Sequence, residues 1–493
     1  MTNESSSLTN RVSAYLTLRG VLPIVLLVMI FVLAFHQSTQ LDADLWWHFA
    51  AGELIVTTHS VPHTDSFSFT KNGAEWVAHE WLSEVVIYGI YKYAGRVVLL
   101  LIFSLMIAGT MWMVYRRCEG RPYAGAVGML LAAGASAPLF GVRPQMITLL
   151  LASIYITLLE RFSREQRTRL LLWLPPLMLL WVNLHAGFAL GLALIGLYIV
   201  AAVIDGSRRL IGPLVIALIS CTAMVPLNPN GFRMFSYPYE TLTSSAMASL
   251  IEEWASPDFH QLMYLPLVLL LLGTPALLAV SPKRVRAGEL FLFLVTAFAA
   301  LRSIRHIPIF ALIAAPIFAN HLWELLKSRG WGKSLTDAPS ASTTRQLAFN
   351  LLFLLVFIGL ASFRVWHFAA HPRMYEAIRN PVAAVDFLLS ERPPAPIYNR
   401  YGWGGYLIYR LYPAYRVFID GRADVYGDQF FAETVKTYNG VGDWASSLDR
   451  YGINTVLISP DVPLANLLRN NRDEWKVLYE DDHAIIFART QPI

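Results

Sequence analysis

The amino-acid sequence predicts a polytopic α-helical membrane protein of about eleven transmembrane helices, followed by a small extracytoplasmic α/β domain. Hydrophobic residues make up 55% of the chain and charged residues 15%, where soluble domains carry about 25% charge. Apolar stretches long enough to span a bilayer recur up to residue 365. Beyond that point the composition turns soluble, with short β-type runs alternating with helical patterns.

The first apolar run, 21–35, follows Arg11 and Arg19 and ends in Phe35-His36-Gln37 without a small-residue cleavage site, so it reads as a retained signal anchor. The predicted spans are 20–37, 96–115, 122–140, 144–160, 170–184, 186–204, 210–226, 261–280, 287–304, 307–325 and 346–365. The fifth holds Pro175-Pro176 and is expected to kink. The stretch 81–93 is aromatic and too short to span, which predicts a helix at the interface. A Ser/Thr/Ala-rich linker covers 334–344. These elements divide the chain into a multispanning domain, 1–365, whose first outer loop is 38–95, and an α/β domain, 366–493. In the latter, apolar runs at 396–399, 415–419, 454–459 and 484–488 predict strands, and 381–391, 428–438 and 461–470 predict helices. The Gly402/Gly404/Gly405 cluster predicts a turn.

Lys and Arg counted over the loops orient the bundle. With the N-terminus inside, 18 basic residues lie on the inner side and 7 on the outer side ahead of the C-terminal domain. The C-terminal domain is therefore expected outside. The net charge of +5 gives no argument for nucleic acid, and Cys118 and Cys221, in or beside apolar runs, read as structural.

On this topology the polar residues gather at the outer ends of the spans. Asp42, Asp44 and His48 follow the first span, and His79 and Glu80 open the interfacial helix. Arg143 and Gln145, Asn183 and His185, Asn228 and Arg233, Glu252 and Glu253, and Arg302, Arg305 and His306 occupy later outer loops. Ionisable groups beside a membrane are costly and point to function. Carboxylates and arginines on one face suit an anionic, phosphate-bearing lipid, because Arg offers phosphate a bidentate fork. Trp46, Trp47, Trp76, Trp81 and Trp254 taken singly read as aromatic-belt anchors.

Glycosyl transfer needs a base for the acceptor's proton and an electrostatic partner for the departing phosphate. Asp44 or Asp42 can be the base, and Glu80, Glu252 or Glu253 a second carboxylate. Oxygen ligands from Asp42 and Asp44 suit Mg²⁺ or Mn²⁺. A zinc site can be drawn with His48, His79 and an acid, but His79-Glu80-Trp81-Leu82-Ser83 lacks the second His of a metalloprotease helix. No Walker A loop or dinucleotide glycine fingerprint is present.

The acidic motif Asp42-Ala43-Asp44 in the first outer loop, the interfacial helix and the multispanning bundle with an outer C-terminal domain resemble the bacterial GT-C glycosyltransferases, such as the polyprenyl-phosphate-sugar-dependent mannosyl- and arabinosyltransferases. The chain also resembles a group of multispanning bacterial proteins carrying Trp46-Trp47-His48, His79-Glu80-Trp81, Arg143-Pro144-Gln145, Tyr401-Gly402-Trp403-Gly404-Gly405-Tyr406 and Phe418-Ile419-Asp420-Gly421-Arg422-Ala423-Asp424. That second match implies no chemistry. The GT-C resemblance implies a transferase of the bacterial inner membrane, its donor a polyprenyl-phosphate sugar and its acceptor a glycan, lipid or protein. Asp44 would be the base, Asp42 its partner, and Arg302 or Arg305 the ligand of the lipid phosphate. His48, Trp47, His79, Arg143, His185, Asn228 and Glu253 complete the expected substrate site. Competing expectations are a transporter or flippase, a polymerase or ligase of lipid-linked glycans, and a non-catalytic sensor. In the C-terminal domain, Trp403, Tyr406 and Arg422 could form an acceptor surface, or an Asp–Arg pair could simply pack the domain.

Overall fold

A computed structural model of the chain describes residues 18–244, 247, 251–332 and 343–493. All but the last two positions of the predicted linker, and Arg11 and Lys333 of the charge count, lie outside the described residues. The membrane part runs α1 (Leu18–Ser38), α2 (Leu45–Thr58), α3 (Trp81–Arg117), α4 (Pro122–Ser136), α5 (Pro144–Glu165), α6 (Leu174–Leu184) and α7 (Phe188–Ile204). It continues as α8 (Arg208–Met224), α9 (Arg233–Thr243), α10 (Leu265–Val280), α11 (Ala287–Arg302), α12 (Ile307–Leu326) and α13 (Thr344–Ala370).

Every predicted span is helical. Among the described residues eight helical stretches, built on α1, α3, α4, α5, α8, α10, α12 and α13, are long and apolar enough to cross a membrane, whereas 168–184 and 188–204 are apolar but shorter. Two local expectations change. Pro175 and Pro176 lie in the first turn of α6, where a missing N–H costs no helical hydrogen bond, so they start a helix and do not bend one. The interfacial stretch and the second span are two arms of α3, broken at Gly95, whose φ of 82° suits glycine alone.

The bundle is centred on α12. Two-thirds of its span is buried, against 6% for the peripheral α13. Small residues make this possible: a Cβ at Gly128 of α4 would stand 3.0 Å from the Ala315 carbonyl of α12, so the two backbones meet almost directly. Cys118 and Cys221 are buried free thiols, as expected of structural residues.

The C-terminal domain follows α14 (Pro372–Ala377) and α15 (Val382–Glu391) with β1 (Ile397–Asn399), α16 (Gly404–Leu411), α17 (Ala423–Tyr426), α18 (Asp428–Tyr438) and α19 (Trp444–Arg450). It ends in β2 (Thr455–Ile458), α20 (Pro463–Asn470), β3 (Trp475–Glu480) and β4 (Ile485–Arg489). The sheet order is β1-β2-β4-β3, with β1 parallel to β2 and the other pairs antiparallel. Continuous apolar runs such as Val456-Leu457-Ile458 and Ile485-Ile486-Phe487 make β2 and β4 the buried centre. The edge strand β3 alternates with charges, which hid it from the apolar pattern. The predicted strand 415–419 stands outside this sheet. Val417 instead pairs with Ser68 of the loop between α2 and α3, through Val417 N–H to Phe67 O and Phe69 N–H to Val417 O, both 3.1 Å.

That pairing joins the two domains, and a buried ion cluster seals it. The Arg422 guanidinium reaches Asp420 at 2.7 Å and Asp65 of the first loop at 2.8 Å, stacked over Trp76 at 4.6 Å. Tyr426 donates to Asp420 at 2.6 Å. Trp403, Tyr406 and Arg422 are all buried, so they form no acceptor surface, and the Asp–Arg pair packs the domain. Trp46 and Trp76 are core residues and not belt anchors; Trp46 meets Tyr406 edge-on at 5.0 Å. Gly404 and Gly405 open a helix and not a turn. A Cβ on Gly404 would stand 2.1 Å from the Ile419 carbonyl, and one on Gly405 2.6 Å from the Ala43 carbonyl. Replacing Arg422 by Met would leave Asp65 and Asp420 buried without a counter-charge, at a cost of about 3–5 kcal/mol. Thermal unfolding in detergent should show a clearly lowered midpoint for this variant.

Candidate active site

The acidic motif is a turn between α1 and α2. Leu41 takes a left-handed conformation, and the Asp44 N–H donates to Asp42 Oδ1 at 2.9 Å, which fixes both carboxylates at the head of α2. Asp44 Oδ1 accepts from Trp47 Nε1 at 3.1 Å. From the other side the C-terminal domain closes on the turn, since a Cβ on Gly421 would fall 1.9 Å from Asp44 Oδ1. Burial first, then the neighbouring Asp42 charge, raise the Asp44 pKa to about 7 against the pull of His48 and Arg143.

A chain of charges runs outward from Asp42. Arg143 holds Asp42 Oδ2 at 2.8 Å and also grips Glu253. Glu253 lies 3.4 Å from Arg305, whose guanidinium stacks over Trp254 at 4.7 Å. Ser303 Oγ donates to the Glu253 carbonyl at 3.0 Å, tying this loop to the α11–α12 connection. Asp42, Arg143 and Glu253 of this chain line a cavity of about 240 Å³, together with Gln37, Gln40, Glu252 and Arg379.

Deeper in, a second cluster surrounds Glu80. Its Oε2 lies 3.5 Å from His79 Nε2 and 3.9 Å from His185 Nε2, and its Oε1 lies 3.9 Å from His48 Nδ1. Glu84, one helical turn on, places Oε1 3.9 Å from the same His48 nitrogen. Burial pulls the His79 imidazolium down, but the Glu80 carboxylate beside it prevails and holds its pKa up at about 9. Burial lowers that of His185, which keeps it neutral. Its Nδ1 accepts the Gly187 N–H at 3.0 Å, so the proton sits on Nε2, facing Glu80. His79 stacks on Tyr237, which donates to Asp424 at 3.1 Å.

The helices that carry this cluster meet at Gly52. A Cβ there would stand 2.3 Å from the Glu84 carbonyl and 2.6 Å from Tyr88 Cβ. This contact draws α2 onto the first arm of α3 and sets His48, one turn earlier, opposite Glu80 and Glu84.

Asp42, Asp44, Trp47, His48, His79, Glu80, Arg143, His185, Glu253 and Arg305 thus come together at one end of the bundle. Arg302 does not: it is exposed at the end of α11 and joins none of these ion pairs among the described residues. Asn228 is buried, and its amide donates to the Val182 carbonyl at 2.9 Å while its oxygen accepts from Asn230, so it fastens loops together. Asp42 and Asp44 fit a metal poorly. Both Asp42 oxygens are engaged, one by a guanidinium whose charge repels a cation. Sequence reasoning missed Glu84, Tyr237, Arg379 and Asp424. Two of them left a signal: Glu84 by its spacing of four from Glu80 on one helix face, and Asp424 as the last residue of the 418–424 motif, to which no chemistry was attached.

Gly52→Val should push α2 from α3 and lower the thermal midpoint. Gly109→Val, with nothing within 4 Å of its new side-chain root, should not. Parallel melts of both variants in one detergent check the pair.

No family model and no curated protein matches the sequence. Solved structures do. The oligosaccharyltransferase of Archaeoglobus fulgidus in its apo form aligns over 95% of this chain and 74% of its own, with a TM-score of 0.51 at 13% identity. ArnT from Cupriavidus metallidurans in the apo state aligns over 94% of this chain and 97% of its own, with a TM-score of 0.50 at 16% identity. The chain shares the fold of these two proteins, in agreement with the fold expected from the sequence.

Proposed function

We propose that the chain is an integral-membrane glycosyltransferase that moves a sugar from a polyprenyl-phosphate donor to a lipid, glycan or protein acceptor at the outer face of a bacterial inner membrane. The observation that carries this reading is Asp44, a carboxylate with a pKa near neutrality, fixed at the head of α2 beside the Arg143–Glu253–Arg305 chain. A fold shared with an oligosaccharyltransferase supports it.

Each group has work suited to its place. The donor phosphate meets Arg305 and Arg143, whose guanidinium forks neutralise the charge that grows on the leaving phosphate. Asp44 takes the proton from the acceptor hydroxyl as its oxygen bonds to the sugar's anomeric carbon. The bond from that carbon to the phosphate oxygen breaks, and polyprenyl phosphate leaves with inversion. Asp42 is already engaged, one oxygen by Arg143 at 2.8 Å and the other by the Asp44 N–H at 2.9 Å, which leaves Asp44 to meet the acceptor. Its charge in turn helps raise the Asp44 pKa into the range where a base both accepts and releases a proton readily.

Asp44→Asn should lower transfer from a polyprenyl-phosphate sugar by about 10²–10⁴-fold, the usual worth of a general base. Membrane insertion should stay normal, and full activity in that variant would remove the assignment. In the unaltered enzyme the base works only when ionised, so the transfer rate should climb as pH rises through about 7. A rate profile flat from pH 5.5 to 8.5 would exclude Asp44 as the titrating base.

A further inference from the structure

We infer that His48, Glu80 and Glu84 form a binding site for one divalent transition-metal ion, distinct from the acidic turn. The three side chains are buried, and one donor atom from each lies within 4.8 Å of the others. Two features point to a cation. Among the described residues neither oxygen of Glu84 has a hydrogen-bond partner, and neither has His48 Nδ1, although all three atoms are shielded from solvent. A buried carboxylate with no donor is among the costliest groups a protein can hold, and such groups pair or bind metals.

An imidazolium bridging two carboxylates does not account for the spacing. His48 Nδ1 stands 3.9 Å from both Glu80 Oε1 and Glu84 Oε1, where a charge-assisted hydrogen bond would close to about 2.7–2.9 Å. Two donors bound to one ion at about 2.1 Å in a tetrahedral shell stand about 3.4 Å apart, so His48 need close on each carboxylate by only about half an ångström to share a metal. The other contacts of Glu80 resemble the outer shell of a metal site: His79 and His185 flank its second oxygen at 3.5 and 3.9 Å and fix the plane of the carboxylate. One imidazole nitrogen with two carboxylates favours zinc, manganese or iron over magnesium and calcium, which prefer all-oxygen shells. The ion would hold α2 to α3 just behind the acidic turn, since the His48 N–H donates to the Asp44 carbonyl at 3.1 Å.

The test uses the full chain in detergent, stripped with EDTA and titrated with Co²⁺. The expected result is one Co²⁺ per chain by elemental analysis, with a visible d–d absorption band. That stoichiometric binding should be lost in Glu84→Gln and in His48→Ala and retained in Asp42→Asn. Absence of binding by the unaltered chain overturns the inference, as does wild-type binding in the first two variants or loss in the third. Pulsed EPR of the unaltered chain loaded with Mn²⁺ settles the matter should the variants not fold: coupling to a directly bound imidazole nitrogen is expected, and its absence overturns the site. These readouts involve no sugar transfer, so the metal site and the transferase reading can fail separately.

Discussion

The site depends on close backbone approach. At Gly52, Gly404, Gly405 and Gly421 a single extra carbon would strike a neighbouring carbonyl or carboxylate at 1.9–2.6 Å. Three of these contacts press the C-terminal domain together or onto the acidic turn, and the fourth joins α2 to α3. The catalytic candidates therefore sit in a seam between backbones, where side-chain rotamers have little room to drift. Such a seam keeps a carboxylate near neutral pKa, because it excludes water without supplying a dense set of donors.

Charge is handled in three ways around this seam. The Asp65–Arg422–Asp420 cluster is saturated, with hydrogen bonds to Tyr426 and stacking on Trp76, and it acts as a lock. The Asp42–Arg143–Glu253–Arg305 chain is partly open to a cavity, which Asp42, Arg143 and Glu253 line. The His48–Glu80–Glu84 group is closed but under-bonded. The gradation follows from geometry more than from residue type, since all three draw on similar side chains.

Much of this was legible in the sequence. Apolar run length placed a helix at each predicted span, and the gathering of polar residues at one end followed from counting loops, because alternate loops of a bundle share a side. The motif Asp42-Ala43-Asp44 was visible as a local pattern. What stayed hidden depends on contacts far apart in the chain. Glu84 looks like an ordinary polar residue of an interfacial helix until Gly52 brings His48 against it. The glycines near 404 signal a turn by composition, whereas their cause is the carbonyls of Ile419 and Ala43. Charges on β3 masked an edge strand, and Val417 lent its apolar run to a pairing with a loop almost 350 residues earlier.

That last pairing bears on how the protein is made. The acidic turn, with Trp46, Trp47 and the future lock residue Asp65, leaves the ribosome long before its cover at residues 405–424. Chains generally fold as they emerge, N-terminal part first. Through most of synthesis the half-built site must therefore persist beside the bilayer with its aromatic side chains unburied and its carboxylates in water. Closure of this end of the molecule waits on synthesis through residue 424, so a chain cut short before Arg422 would insert its spans yet never close the candidate site.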